Sequence, residues 1–197
     1  TGKVGIMLAY PPLHAVLFSR LAECTTLPPV LVMTSANAGG EPICLGNREA
    51  LARLDHLADA WLLHDRDILV RVDDSVVTLQ PSLSGADAHG TPATANQLAE
   101  PLFYRRARGY VPRPVFLPKT EQNAPCVLGT GAELKATICL TRGAEAFVGQ
   151  HIGDLENPAT LNFYEEVAAH LEKLLEVRPE ALVCDAHPDF LSTRYAE

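Results

Sequence analysis

The sequence predicts an α/β protein, and three observations carry that prediction. Short apolar or β-branched runs bounded by Pro, Gly, Asn or Asp occupy residues 4–9, 29–33, 60–63 and 76–79, as strands do. Between them, residues 13–22 and 48–58 have helical composition and spacing. Past residue 125, three further strand-like runs separated by glycine turns lead into a long amphipathic segment.

Composition sets the outer bounds. A chain of 197 residues with 47% hydrophobic content can fill one large domain or two small ones around a sizeable core. No run approaches the roughly 18 to 20 consecutive apolar residues of a membrane helix, and no basic region followed by an apolar core opens the chain. A cytoplasmic location without a membrane partner is therefore expected. Cys24, Cys44, Cys126, Cys139 and Cys184 are scattered singly, so neither a disulfide framework nor a zinc finger is encoded. A formal charge of -8 disfavours nonspecific nucleic-acid binding, which draws on Lys and Arg to neutralise phosphate. Arg105, Arg106, Arg108 and Arg113 form one local exception.

The remaining elements follow in order. Residues 81–99 are rich in Pro, Gly, Ser, Thr and Ala without an apolar period, and read as a surface loop. A strand is expected at 102–111. The four prolines of "VPRPVFLPKTEQNAP" then suit an interdomain linker, with the boundary near 118–125. "CVLGTG", "LKATICLTRG" and "AFVGQH" predict a β-meander. In "NPATLNFYEEVAAHLEKLLEV", Tyr164, Val167, Ala168, Leu171, Leu174 and Leu175 share a helical face, with Asn157 as N-cap and Pro158 at the first helical position. "ALVCDAH" reads as a buried strand. A meander, one helix and one strand are expected to make a poor core alone, so the second domain is expected to be incomplete.

Several clusters have the residue types of a binding site. In "LVMTSANAGGEPI", Thr34, Ser35 and Asn37 crowd the end of a strand-like run, where small polar side chains let a phosphate or carboxylate approach backbone N–H groups; an ordinary turn uses the same residues. "HDRDILVRVDDSVV" gathers His64, Asp65, Arg66, Asp67, Arg71, Asp73, Asp74 and Ser75. Arginine beside serine suits phosphate recognition with a carboxylate orienting it or binding metal, against the alternative of solvated Asp–Arg pairs. In "RRARGYVP", Arg106 and Arg108 would share one face of an extended strand, as a triphosphate or an RNA backbone would require, or would only solubilise the surface. Glu133 and Lys135 in "GTGAELKATICL" sit at a hairpin able to cradle phosphate, although the P-loop spacing is absent. His151, Asp154, Asp185, His187 and Asp189 are possible metal ligands or acid–base groups, and Asp185 and His187 could share a face at a strand end.

Six stretches in this order, "MTSANAGGEPI", "LLHDRDILVRVDDSVV", "RRARGYVPRP", "GAELKATICL", "GQHIGDL" and "CDAHPDFLSTRYA", resemble the hydrogenase-maturation carbamoyltransferases of the HypF type, from residue 3 to the last residue. The resemblance implies a multidomain enzyme that converts carbamoyl phosphate and ATP, with Mg²⁺, into carbamoyl adenylate. It then passes the carbamoyl group to the C-terminal cysteine of HypE, giving the precursor of the cyanide ligands of [NiFe] hydrogenases. Residues 1–118 look like the C-terminal part of a YrdC-like domain and 119–125 like a linker. Residues 126–197 look like the start of a threonylcarbamoyl-transferase-like domain with an actin/Hsp70-like nucleotide-binding fold.

By the same resemblance, Thr34, Ser35 and Asn37 form the SxN element that binds the adenylate or ATP phosphates. Arg71 and Ser75 would contact phosphate, and Arg106 and Arg108 would close around the nucleotide. Lys135, Asp185 and His187 are the second-domain candidates. The family's acylphosphatase signature, paired CxxC zinc motifs and histidine-rich metal motif are not in the sequence, which places the zinc or iron ligands outside this chain and makes it a fragment expected to be inactive alone. "GIMLAYPPLH" also departs from the expected "LPYTPLH" at Ala9 and Pro11. The competing readings are a YrdC-type threonylcarbamoyl-adenylate synthase of tRNA modification and a double-stranded RNA-binding module, the latter disfavoured by net charge.

Overall fold

A computed structural model describes residues 2, 4–80, 100–118 and 124–197. The chain divides into two compact units, Thr1–Thr34 and Ser35–Glu197. The expected surface loop at 81–99 and most of the expected linker lie outside the described residues.

The first unit is organised by α1 (Pro12–Cys24), which starts with Pro at its first position, where a missing N–H costs nothing. Residues 4–9 and 29–33, expected as strands, form no ladder. Val4, Ile6, Leu8, Val30 and Val32 are exposed. Their β propensity reflects fit to a paired, half-buried surface, and no partner strand stands beside them among the described residues. The expected strand at 60–63, in the second unit, stays unpaired for the same reason.

In the second unit, α2 (Asn47–Leu54) and a 3₁₀ turn at Asp55–Leu57 match the helical stretch read at 48–58. β1 (Val76–Gln80) pairs antiparallel with β2 (Glu100–Arg105). The strand expected to run to residue 111 stops at Arg105, because Tyr110 and Val111 N–H both turn back to the Ala107 carbonyl and Gly109 takes φ +85°.

A five-stranded sheet follows, made of β3 (Val115–Phe116), β4 (Val127–Gly129), β5 (Cys139–Arg142), β6 (Glu145–Val148) and β7 (Ala181–Val183) in the order β3-β6-β5-β4-β7. β4, β5 and β6 are the expected antiparallel meander. The Pro-rich stretch contributes more than a connection: Val115 and Phe116 pair with Ala146 and Glu145 on the outer edge of β6. Gly131 takes φ +70°, and a Cβ there would lie 2.1 Å from the Thr137 carbonyl oxygen, so only glycine fits the turn leaving β4.

α3 (Pro158–Leu175) covers this sheet. Asn157 accepts from Thr160 N–H as N-cap, as its position before Pro158 predicts. Phe163, Tyr164, Val167, Ala168, Leu171 and Leu175 are buried against Leu128, Ile138, Leu140 and Phe147. Leu174, expected on the same face, is instead 49% exposed at its margin. Tyr164 is fully buried, and its hydroxyl donates to the Thr130 carbonyl at 2.7 Å. The segment expected to make a poor core therefore holds the main core of the described residues, because one helical face and the strand side chains beneath it bury each other. β7 corrects a second expectation. It pairs parallel with β4 on one side only, and all three of its residues are exposed rather than buried. A short α4 (Leu191–Ala196) ends the chain.

Ile138 is fully buried beneath α3, whereas Leu182 is half exposed on the β7 edge. Ile138→Ala is expected to cost about 2–5 kcal/mol. Leu182→Ala should stay within about 0.5 kcal/mol. Urea unfolding of both variants measures the difference.

Candidate functional site

The Ser35–Asn37 turn opens the second unit, and Thr34 closes the first. Ser35 Oγ donates to Asn37 Oδ1 at 2.5 Å, and Asn37 Nδ2 donates to the carbonyls of Ala38 and Glu41 at 3.0 and 2.8 Å. Gly40 takes φ +77°, and Cys44 N–H closes the turn on the Ala36 carbonyl. The asparagine amide is thus spent on shaping the turn, while the serine oxygen keeps lone pairs to accept from a ligand. The turn is also tied to α3: the Gly40 carbonyl accepts from Asn157 Nδ2 at 3.0 Å and Thr160 Oγ1 at 3.3 Å.

Arg71 lies at the centre of a second set of contacts. Its side chain is 11% exposed, and Nη1 donates to the Ile43 carbonyl. Glu49 of α2 stands 3.5 Å from Nη1, and Glu166 of α3 stands 3.5 Å from Nε. Phe163 presents its ring 5.6 Å from the guanidinium carbon. Burial pushes the Glu49 carboxyl up, but the Leu45 N–H, Arg53 and Arg71 outweigh it and hold it below the usual range. Arg71 therefore enters the site already balanced by two carboxylates.

Ser75, Arg106 and Arg108 form a brace. Ser75 Oγ accepts from Ala107 N–H at 2.8 Å and donates to the Arg108 carbonyl at 2.9 Å. Arg106 donates to the carbonyls of Val148, Tyr110 and Arg113 at 2.6, 2.8 and 2.8 Å. Burial, reinforced by Arg113, pulls its guanidinium below the ordinary range. Arg108 donates to the Val72 carbonyl at 3.0 Å and stands 3.2 Å from Asp74. The two arginines do not share a strand face, because the extended segment has already ended.

In the sheet region, Lys135 takes φ +52°, and its N–H donates to Asp154 Oδ1 at 2.6 Å. Asp185 accepts from His187 N–H at 3.1 Å, and His187 stacks on Phe190 at 4.2 Å. His187 Nδ1 accepts from Asp189 N–H at 3.3 Å, so the histidine is oriented by its own turn. Among the described residues no group of three or more His, Cys, Asp or Glu stands together as a metal-ligand set.

Of the candidate binding residues, Arg71, Arg108 and Asp185 line three hollows, whereas Ser35, Asn37, Ser75, Arg106, Lys135 and His187 line none of these. Two of about 400 and 530 Å³ adjoin through Leu45, Ile68 and Arg71, with Arg108 on one and His64, Arg66 and Asp67 on the other. A third of about 420 Å³ is lined by Gly129, Gly131, Thr137 and Asp185. Glu49, Glu166 and Gln150 were not singled out by sequence. Gln150 directly precedes His151 in "GQHIGDL", and its amide donates to the Arg71 carbonyl at 2.7 Å.

Comparison with known proteins gives two family matches: the HypF Kae1-like domain over residues 122–197, and the Sua5/YciO/YrdC family, described as telomere recombination, over residues 1–85. Carbamoyltransferase HypF2 of Cupriavidus necator is 49% identical over 203 residues, covering 98% of this chain. Carbamoyltransferase HypF of Rhizobium leguminosarum bv. viciae is 47% identical over 196 residues, covering 99%. The chain spans 23% of the length of each of these two relatives. Among solved structures, a full-length HypF in the phosphate- and nucleotide-bound form superposes with a TM-score of 0.79 at 40% identity, over 98% of this chain and 27% of that one.

Two outcomes follow from the geometry. Ser75→Ala leaves the fully buried Ala107 N–H unpaired and should destabilise by about 1–3 kcal/mol in urea unfolding. His151 is lowered from its ordinary 6.5 by burial and then by Arg105, against the opposing pull of Asp73 and Asp154. Between the folded value and about 6.5, the unfolded chain binds the extra proton, so stability is complete above that range and falls on acidification through it. Urea midpoints measured from about pH 7 down to about pH 5 should therefore fall less steeply in His151→Gln.

Proposed function

Because the chain belongs to the HypF carbamoyltransferase family, we propose that it forms part of an enzyme that makes carbamoyl adenylate and transfers its carbamoyl group to the C-terminal cysteine of HypE. The observation carrying this reading is the identity of 49% and 47% to proteins named carbamoyltransferase over 98% and 99% of the chain. Hydrolysis of carbamoyl phosphate by water breaks its link to phosphate and supplies carbamate, and a carbamate oxygen attacks the α-phosphorus of ATP as pyrophosphate leaves. Transfer to the thiol then forms a C–S bond and releases AMP. The chain's own part in adenylation is to stabilise charge on the transferring phosphoryl group.

The Ser35–Asn37 turn supports that role by presenting a serine oxygen on a backbone fixed by local hydrogen bonds. Arg71 would contribute positive charge by relaxing its pairing with Glu49 and Glu166 when phosphate arrives. Ser75, Arg106 and Arg108 act as the frame that positions residues 71–75, and Asp185 lines the hollow of about 420 Å³ where a second nucleotide would sit. Mg²⁺ would arrive with ATP, needing few protein ligands of its own. Zinc or iron does not fit the described residues, which gather no ligand set for it.

The match of residues 1–85 to the Sua5/YrdC family favours one alternative, a threonylcarbamoyl-adenylate synthase. ATP–pyrophosphate exchange by the full-length protein separates the two readings. Exchange that requires carbamoyl phosphate, and falls at least about tenfold in Ser35→Ala, is the expected result. Exchange that requires threonine and bicarbonate instead would overturn it.

A further inference from the structure

Residues 148–151, at the end of β6, touch two of the candidate arginines. Gly149 N–H donates to the Ile138 carbonyl at 2.8 Å, carrying the β5–β6 pairing one step past Val148. Ile138 is fully buried beneath α3, so this stretch is anchored on the core. From that base, the Val148 carbonyl accepts from Arg106 at 2.6 Å and His151 N–H donates to the Arg106 carbonyl at 2.8 Å. Between them, Gln150 Nε2 donates to the Arg71 carbonyl at 2.7 Å.

Gln150 is 5% exposed. Its nitrogen faces a carbonyl, which only accepts, so the other amide atom is the oxygen. That oxygen is buried and has no hydrogen-bond partner among the described residues. A buried acceptor left unmet lowers stability, and a methionine of similar length would avoid the loss. Packing alone therefore disfavours glutamine here. What the residue supplies beyond packing is one N–H to the backbone of Arg71.

We propose that Gln150 is a positioning residue for adenylation, acting through Arg71. Residues 71–75 belong to no helix or strand, so no ladder holds the Arg71 backbone, and the Gln150 N–H provides that restraint. Arg71 lines the two adjoining hollows, where a shift of about 1 Å in a charged contact can cost up to about 10²-fold in rate. Gln150 lies in the stretch matched to the HypF Kae1-like domain, and Arg71 in the stretch matched to the Sua5/YciO/YrdC family. An arginine of one stretch thus takes its place from a side chain of the other. The inference rests on the adenylation reading, in that Arg71 must meet a phosphate; it does not depend on which acid is adenylated.

The test is a double-mutant cycle on Gln150→Met and Arg71→Met in ATP–pyrophosphate exchange by the full-length protein. It is run with carbamoyl phosphate and with threonine plus bicarbonate. Gln150→Met alone is expected to lower kcat/KM for ATP about tenfold while its urea midpoint stays close to that of the wild type. Arg71→Met is expected to keep about 1% of the exchange, within reach of labelled pyrophosphate. That variant keeps the main-chain carbonyl and loses the guanidinium, so adding Gln150→Met to it should change exchange less than about twofold. Gln150→Leu, which also lacks a donor, repeats the cycle with a second side chain. Equal losses in both backgrounds would mark a merely structural role and overturn the assignment, as would a Gln150→Met protein as active as the wild type. Exchange that needs threonine would remove the carbamoyl reading and leave the cycle to be read with that substrate; exchange with neither substrate would overturn both.

Discussion

The burial of one face of α3 on the meander is the contact from which the rest of the second unit is hung. Phe163, Tyr164, Val167 and Leu171 lie over Leu128, Ile138, Leu140 and Phe147, and removing this apolar area from water is the largest favourable term available to the segment. Once α3 is seated, its exposed side and its first turn become fixed points. Glu166 then meets Arg71, and the N-cap meets the Ser35–Asn37 turn. Tyr164 adds direction to an otherwise undirected contact, because its buried hydroxyl has an acceptor only when the helix sits in one register over Thr130.

Around that core, the positive charge is handled mainly by carbonyl oxygens. Arg106 gathers three of them and Arg108 another, so guanidinium groups organise the loop after β2 where regular pairing has stopped. A planar fork of fixed donors suits this task, and a lysine ammonium would not span the same acceptors. Arg71 differs, being held between carboxylates on two helices. Its charge is compensated without being consumed, which suits a group asked to change partners.

The sequence made the fold class, α1, α2, the meander and the Asn157 cap legible, because each rests on local rules: an apolar period, a proline at a first helical position, a glycine turn. It misjudged elements whose fate depends on a neighbour. Residues 4–9 and 29–33 have strand composition and, among the described residues, no strand to pair with; β7 is apolar and lies at an edge; 106–111 has extended composition that a turn around Gly109 interrupts. The candidate site divides in the same way. Ser35, Asn37 and Arg71 stand out by residue type, but their partners Glu49, Gln150 and Glu166 are separated from Arg71 by 22, 79 and 95 positions, distances over which no sequence pattern operates.

Asn157 carries a double duty whose demands differ chemically. Its oxygen caps α3, while its nitrogen holds the Gly40 carbonyl of the Ser35–Asn37 turn. Aspartate caps helices as well as asparagine does, and has no proton to give. Asn157→Asp would therefore leave the helix start intact and set a carboxylate against a carbonyl oxygen, leaving Thr160 Oγ1 as the remaining donor from α3 to Gly40. The two requirements meet in one amide, and aspartate can satisfy only the capping one.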